Sequence, residues 1–284
     1  VKAFDIGSAR VGGPRLLVVA GPCVIESAEL CLTVAAKLQA LTAERGLPFV
    51  FKSSYRKANR SSGRSFAGLP GDAGLTILSR VRRELGVPIL TDVHSEAEVD
   101  AAAEVADVLQ IPAFLCRQTE LLVAAARTGR AVNVKKGQFL APADMQNVID
   151  KLTGAGCERL LLTERGTTFG YGDLVVDMRA LVVMRELGWP VLYDATHSLQ
   201  RRGTHPLDGS GSETGGDRRF AFPLMRAAVA CGVDGLFFEA HPDPDRALSD
   251  AATQLPLARA AAFLDEALRV HEAVQEAPSG VRRP

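Results

Sequence analysis

Eight times along this chain a run of about five mostly apolar residues is followed by a longer amphipathic stretch, and no other feature restricts its fold as much. The runs are Leu16–Ala20, Pro48–Lys52, Val87–Thr91, Asp107–Ile111, Ala131–Lys135, Arg159–Thr163, Pro190–Asp194 and Gly235–Glu239. Short continuous runs of Val, Ile, Leu and Phe read as strands covered on both faces, as in parallel sheets. The stretches between them read as helices over Ala28–Arg45, Ala73–Leu85, Glu96–Ala106, Thr119–Thr128, Ala143–Thr153, Leu174–Leu187, Arg219–Cys231 and Leu257–Val270. Ser27 and Ser95 stand as N-caps, and Gly46, Gly86, Gly129 and Gly188 follow helices as terminating glycines. Unbroken strand–helix alternation requires crossovers between parallel strands, and eight units predict a single (β/α)8 barrel of the TIM type. One catalytic domain is expected over residues 1–284, with 1–14 and 275–284 frayed. The Gly- and Ser-rich stretch from Gln200 to Asp217 is expected to be a lid or structureless insertion.

Charge excludes some partners. Lys plus Arg and Asp plus Glu number 33 each, so no global field draws the chain to nucleic acid or a membrane surface. No apolar stretch is long enough to span a bilayer, and Val1 to Pro14 lacks the layout of a secretory signal. The five cysteines are scattered without a C-x-x-C pair, which argues against a disulfide framework. Cys31, Cys116, Cys157 and Cys231 read as small buried hydrophobes. A cytoplasmic enzyme is the expectation.

In such a barrel the residues just past each strand line the catalytic mouth. After the second strand, Lys52, Arg56, Lys57, Arg60 and Arg64 are interleaved with Ser and Asn and no acid, a local anion trap in a neutral protein. Lys135 and Lys136 end the fifth strand, so at least one ammonium points into the mouth, to bind an anion or to form a Schiff base. Arg165 precedes a Gly-rich loop that lets a ligand approach backbone amides. Cys23, His197 and Glu239, with Asp250 or His241 further on, are metal-capable groups on the first, seventh and eighth strand ends, which closure makes neighbours.

At these same segments the sequence resembles the 3-deoxy-D-manno-octulosonate 8-phosphate (KDO8P) synthases. The likeness runs through AGPCVIES, KANRSS, DVLQIPAFLCRQT, NVKKGQFLAP, TERGTTFGY, DATHSLQ and EAHPDP. The related synthases of the seven-carbon shikimate precursor share the barrel but carry a K-P-R-T type motif where this chain has Lys57-Ala58-Asn59-Arg60-Ser61-Ser62. The resemblance implies an aldol-like condensation of phosphoenolpyruvate with D-arabinose 5-phosphate and water, releasing phosphate, in lipopolysaccharide precursor synthesis. It implies that Lys52, Lys57, Lys135 and Arg165, assisted by Ser54 and Gln110, hold phosphoenolpyruvate. It assigns Asn59, Arg60 and Ser61 to the sugar phosphate, with Arg117 reaching in from a neighbouring subunit of a homotetramer, and Asp92 to the sugar hydroxyls. Metal-independent members have Asn where this chain has Cys23, and the stretch around Asp250 is also of the metal-dependent type. The implied ligand set is therefore Cys23, His197, Glu239 and Asp250, for one divalent ion (Zn2+, Fe2+ or Mn2+), with no organic cofactor. Tyr55-Arg56 departs from the family's Phe-Asp and is expected to add positive charge beside the sugar-phosphate motif. The rival readings are the shikimate-type synthase, a Schiff-base aldolase using Lys135 or Lys136, and a non-catalytic sugar-phosphate-binding barrel.

Overall fold

A computed structural model describes residues 1–58, 66–168, 170–201 and 215–276. In chain order the strands are β1 (Phe4–Ile6), β2 (Ala9–Val11), β3 (Leu17–Gly21), β4 (Phe49–Lys52), β5 (Ile89–Asp92), β6 (Val108–Ile111), β7 (Ala131–Lys135), β8 (Leu160–Glu164), β9 (Val191–Asp194), β10 (Gln200–Arg201), β11 (Gly215–Gly216), β12 (Gly235–His241) and β13 (Leu255–Pro256). The helices are α1 (Ala28–Glu44), α2 (Ala73–Leu85), α3 (Glu96–Val105), α4 (Thr119–Arg127), α5 (Met145–Gly154), α6 (Met178–Glu186), α7 (Ala221–Ala230) and α8 (Ala260–Glu276). Strands β3 to β9 pair in sequence order, and β12 closes the ring by pairing in parallel with both β3 and β9. The result is the closed eight-stranded parallel barrel with an outer layer of helices that the alternation predicts. No described helix is long and apolar enough to cross a membrane.

Closure divides the apolar residues into two sets because successive strand side chains point to opposite faces. Val18, Phe51, Ile89, Leu109, Val132, Leu160 and Leu162 face the helices in the larger core. Leu17, Val19, Val50, Leu90, Val108, Ala131, Leu161, Leu192 and Phe237 fill the barrel itself. Space inside is tight: a Cβ on Gly21 would lie 2.0 Å from the Lys52 carbonyl oxygen, so only glycine lets β3 and β4 approach this closely.

Residues 1–14, expected to fray, instead build a hairpin. β1 and β2 pair antiparallel, Phe4 opposite Val11. Phe4, Ile6, Ala9 and Val11 join the inner core and plug the amino-terminal end of the barrel. Their three-residue strands are too short to register in a search for five-residue apolar runs, yet each large side chain buried there contributes about 1.5–3 kcal/mol.

The other departures are local. Helix α6 starts at Met178 because Asp177 caps it, its side chain accepting from the Arg179 amide, while Val175 still pairs with Thr167 in an extended bridge. Ser27 caps α1 through its hydroxyl, but the Ser95 hydroxyl donates to Glu98 instead of capping α3. Gly86 ends α2 in the left-handed conformation, φ 67°. The ends of the Gln200–Asp217 stretch are not structureless: β10 and β11 pair antiparallel across it.

At the amino-terminal end two aspartates repeat one arrangement. Asp107 accepts from the Ile89 amide at 2.9 Å and from Arg82 at 2.9 Å. Asp234 likewise accepts from the Val191 amide at 2.9 Å and binds Arg185 through Nε at 3.0 Å and Nη2 at 3.2 Å. Each carboxylate ties the start of a neighbouring strand to the helix that precedes that strand, using charge-assisted bonds.

Candidate active site

The alternation that fills the lower barrel with hydrocarbon places polar groups above it. Along β7 the inward positions are Ala131, Asn133 and Lys135; along β4 they are Val50 and Lys52; along β12 they are Gly235, Phe237 and Glu239. The Phe237 ring forms the floor of the mouth, with Lys135 Nζ 3.7 Å and Lys52 Nζ 5.4 Å from its centroid. The same parity turns Lys136 outward. Its ammonium donates to the carbonyls of Gly137 and Leu140 and lies 3.4 Å from Glu164 Oε2, behind the barrel wall. Of the two lysines, Lys135 alone enters the mouth.

One corner gathers ligand-capable atoms. Cys23 follows β3, Glu239 lies on β12 and Asp250 on the loop to β13, and ligand atoms of all three lie within 4.8 Å of one another. Cys23 Sγ is 3.0 Å from Asp250 Oδ2, and Lys52 Nζ donates to Glu239 Oε1 at 2.5 Å and to the Cys23 carbonyl at 3.1 Å. Glu239 Oε2 is buried without a hydrogen-bond partner. Burial and then the Glu239 charge push the Cys23 thiol well above its usual value, with Asp250 adding to the effect and Lys57 opposing it. Burial works against both carboxylates too, but Lys52 and His197 hold Glu239 below the ordinary range, and His197 and Lys57 do the same for Asp250. Two anionic oxygens beside a thiol, one oxygen unsatisfied, form a cluster that a cation would complete, since coordination stabilises a thiolate outright.

His197 stands at the edge of this corner, Nε2 3.8 Å from Glu239 Oε1. Its Nδ1 is 2.9 Å from Asp194 Oδ2, and an ionised carboxylate only accepts, so Nδ1 carries a proton and Nε2 is the ring nitrogen turned toward the cluster. Such carboxylate–histidine pairs orient metal-binding imidazoles. Asp194 is itself fixed by the Thr196 and His197 amides and by Lys135 Nζ at 2.7 Å. His197 and Lys135 keep it well below the carboxylate range against its burial. His241, the alternative to Asp250, turns away: its Nδ1 accepts from the Asp243 amide and its Nε2 lies 3.7 Å from Glu26.

Lys57 faces the corner from the loop after β4. Burial disfavours its charge, but Cys23, Glu239, Asp92 and Asp250 outweigh that and raise it well above a lysine's usual value. Arg165 is buried at the mouth and donates to Gln200 at 2.5 Å. Ser54 and Gln110, assigned to phosphoenolpyruvate by the resemblance, both donate to Asp92. A belt of bonds continues from Gln110 through Asn133 to Thr163, crossing four strands. Asp92 is thus engaged by the protein itself, and Lys52 and Lys57 keep it ionised despite burial. Asn59, Arg60 and Ser61 lie outside the described residues, and Arg117 is exposed on the loop after β6.

The departure at Tyr55-Arg56 receives a local explanation. The Tyr55 hydroxyl donates to Glu98 Oε2 at 2.6 Å, Arg56 Nη1 lies 3.2 Å from Glu98 Oε1, and His94 and Ser95 bind the same carboxylate. Arg56's charge is matched by Glu98, so the expected excess of positive charge beside the sugar-phosphate motif is largely offset. Sequence reading named neither Glu98 nor the structural parts of Asp194, Asn133 and Gln200. Polar residues at inward positions of otherwise apolar strands were the available signal for Asn133 and Asp194; Glu98 offered none.

Residues 6–276 match the DAHP synthetase I family. A 2-dehydro-3-deoxyphosphooctonate aldolase of Trichlorobacter lovleyi is 56% identical over 264 residues, covering 93% of this chain and 95% of that protein. Proteins of the same name from Verminephrobacter eiseniae and Paraburkholderia xenovorans are 55% identical over 268 residues (92% of this chain, 91% of theirs) and 51% identical over 282 residues (97% and 98%). With the barrel, the lysine-lined mouth and likeness over nearly the whole chain, this protein belongs to the DAHP synthetase I family, alongside its 2-dehydro-3-deoxyphosphooctonate aldolases.

Proposed function

We propose that this protein is a transferase that condenses phosphoenolpyruvate with D-arabinose 5-phosphate and water, giving 3-deoxy-D-manno-octulosonate 8-phosphate and phosphate for lipopolysaccharide precursor synthesis. The observation that carries the reading is the convergence of Lys52 and Lys135 over the Phe237 floor, with Lys57 facing the Cys23–Glu239–Asp250 corner and Arg165 buried at the mouth. Both substrates are polyanions, and only a pocket of fixed cations brings them together against their repulsion. Lys52, Lys57, Lys135 and Arg165 hold the carboxylate and phosphate of phosphoenolpyruvate. C3 of the enol attacks the aldehyde carbon, whose oxygen takes a proton. Water adds at C2 with loss of one proton, and the C2–O bond to phosphate then breaks as the new C2 hydroxyl passes its remaining proton to the departing phosphate, leaving the ketone.

The donor set of Cys23, His197, Glu239 and Asp250, with the orphaned Glu239 oxygen, suits one divalent ion of the Zn2+, Fe2+ or Mn2+ kind. When bound, such an ion supplies Lewis-acid polarisation or an anchor for water or the sugar aldehyde. A homotetramer in the cytoplasm completes the reading. Phe114 and Phe139, 45% and 53% exposed on the loops after β6 and β7, and the exposed Arg117 are residues suited to contact a second copy.

Phosphate release is the test, assayed with phosphoenolpyruvate and arabinose 5-phosphate before and after chelation, with metal content measured on the same samples. Turnover only with a four-carbon aldose phosphate would transfer the protein to the shikimate-type synthases. Full activity in verified metal-free protein would remove the metal from the mechanism, as would a Cys23→Asn variant that loses activity with its metal content unchanged. Sedimentation velocity checks the tetramer.

A further inference from the structure

Gln200 connects two parts of the mouth that the preceding reading treats separately. Its side-chain oxygen accepts from Arg165 Nη2 at 2.5 Å, and its nitrogen donates to Asp250 Oδ1 at 2.9 Å. The amide orientation is dictated by its partners: a guanidinium only donates and a carboxylate only accepts, so the oxygen must face Arg165 and the nitrogen Asp250. That bond occupies one Asp250 oxygen; the other, Oδ2, faces Cys23 Sγ at 3.0 Å and accepts from Ser249 Oγ at 3.1 Å. Asp250 needs such support. Its φ of 49° makes it the one non-glycine residue with positive φ among those described, a conformation kept only where the surroundings impose it. Gln200 is 7% exposed and is itself anchored, its carbonyl accepting from the Leu174 amide and its backbone paired with Gly216.

We propose that Gln200 is a positioning residue that couples occupancy of the anion subsite at Arg165 to cation affinity at the Asp250 corner. An anion that fixes Arg165 fixes the Gln200 amide, and a fixed amide holds Asp250 with Oδ2 turned toward Cys23. The proposal rests on the reading that phosphoenolpyruvate contacts Arg165 and that a divalent ion sits at Cys23, Glu239 and Asp250. Coupling of this kind is reciprocal, so phosphoenolpyruvate must tighten the ion by the same factor that the ion tightens phosphoenolpyruvate.

The experiment titrates full-length, metal-stripped protein with Mn2+, following free Mn2+ by electron paramagnetic resonance, with and without phosphoenolpyruvate. Wild type is compared with Gln200→Met, which lacks both polar groups, and Gln200→Asn, which keeps them on a shorter arm. Direct attraction between Mn2+ and the anion acts in all three proteins, so the part carried by Gln200 is the difference between them. The wild-type coupling factor is expected to exceed that of either variant by about fivefold or more. A second control is Gln254→Met. Gln254 ties the Cys23 amide to the Ser249 carbonyl, so this variant is expected to weaken Mn2+ binding while keeping the coupling factor. Equal coupling in wild type and both Gln200 variants would overturn the proposal, as would loss of coupling in Gln254→Met to the same degree. Wild-type protein that binds phosphoenolpyruvate but no Mn2+ would overturn the metal reading and the coupling with it; binding of both without a difference between variants overturns the coupling alone.

Discussion

The two ends of the barrel handle buried polarity in opposite ways. At the amino-terminal end, Asp107 and Asp234 each satisfy a strand amide and an arginine, above a hairpin that seals the interior with hydrocarbon. At the carboxyl end, Lys52 and Lys135 are buried over an aromatic ring. Among the described residues, the buried side-chain atoms lacking a hydrogen-bond partner are Ser53 Oγ, Glu164 Oε2, Glu239 Oε2 and His241 Nε2, and all four belong to that end. Asp250, held at positive φ, is there as well. An orphaned oxygen such as Glu239 Oε2, or a strained backbone such as that of Asp250, costs of order 1–3 kcal/mol, whereas Glu164 Oε2 has the Lys136 ammonium 3.4 Å away. One end therefore supplies stability that the other draws on to keep charges ready for a ligand.

That division predicts which measurement each substitution moves. The largest effect is expected from Lys135→Met, which removes a cation from the mouth. Phosphate release should fall roughly a thousandfold, equivalent to about 4 kcal/mol of transition-state stabilisation, while circular dichroism shows a folded barrel. Retention of a tenth of the activity would break the comparison and would also dispose of any Schiff-base role for this residue. At the opposite end Ile6→Ala opens a cavity in the plug. Urea unfolding should report a loss of about 2–4 kcal/mol, with turnover per folded molecule within about twofold of wild type. A large drop in turnover at unchanged stability would mean that the plug is part of the working site.

The same division explains what was legible in the sequence. Strand order and the barrel follow from the repetition of Val- and Leu-rich runs, and each of the eight barrel strands begins and ends within two residues of its expected place. Cys23, Lys52, Lys135, Arg165, His197 and Glu239 are visible because closure sends strand ends to one mouth. The hairpin was not visible, because three-residue strands acquire meaning only when a barrel interior exists for Ile6 and Val11 to enter. Parity separates Lys135 from Lys136, but only once the strand's register is known. Gln200 and Glu98 act through partners distant in sequence, Arg165 and Asp250 for one and Tyr55 for the other, and periodicity carries no information about such pairs.

A smaller effect is expected from Asp234→Asn. The amide still accepts from Val191 but forfeits the charge opposite Arg185, a pair with side chains 5% and 17% exposed. The cost should be about 2 kcal/mol in urea unfolding, with kcat/KM unchanged. If stability held and kcat/KM fell, the stabilising role given to this end would fail.

Glu98 sharpens the contrast because it stands at the mouth's rim yet is bonded as fully as the aspartates below. Its contacts to Tyr55 and Arg56 fix the base of the segment that presents Lys57, whose amide donates to the Ala67 carbonyl. Glu98→Gln keeps the shape and removes the charge. The expected result is a loss of about 1 kcal/mol in stability, and a rise of a few fold in KM for arabinose 5-phosphate with kcat nearly constant. Burial opposes ionisation of Glu98, but the Tyr55 and His94 hydrogen bonds outweigh it and lower its pKa below the reference value of 4.5. A carboxylate with a depressed native pKa contributes stability above its unfolded pKa and loses it as pH falls through the native one. The difference in stability between wild type and Glu98→Gln should therefore be full at neutral pH and narrow on acidification below pH 4.5. A difference that does not change across that range would assign the effect to packing, leaving the carboxylate's charge without a part in holding Lys57.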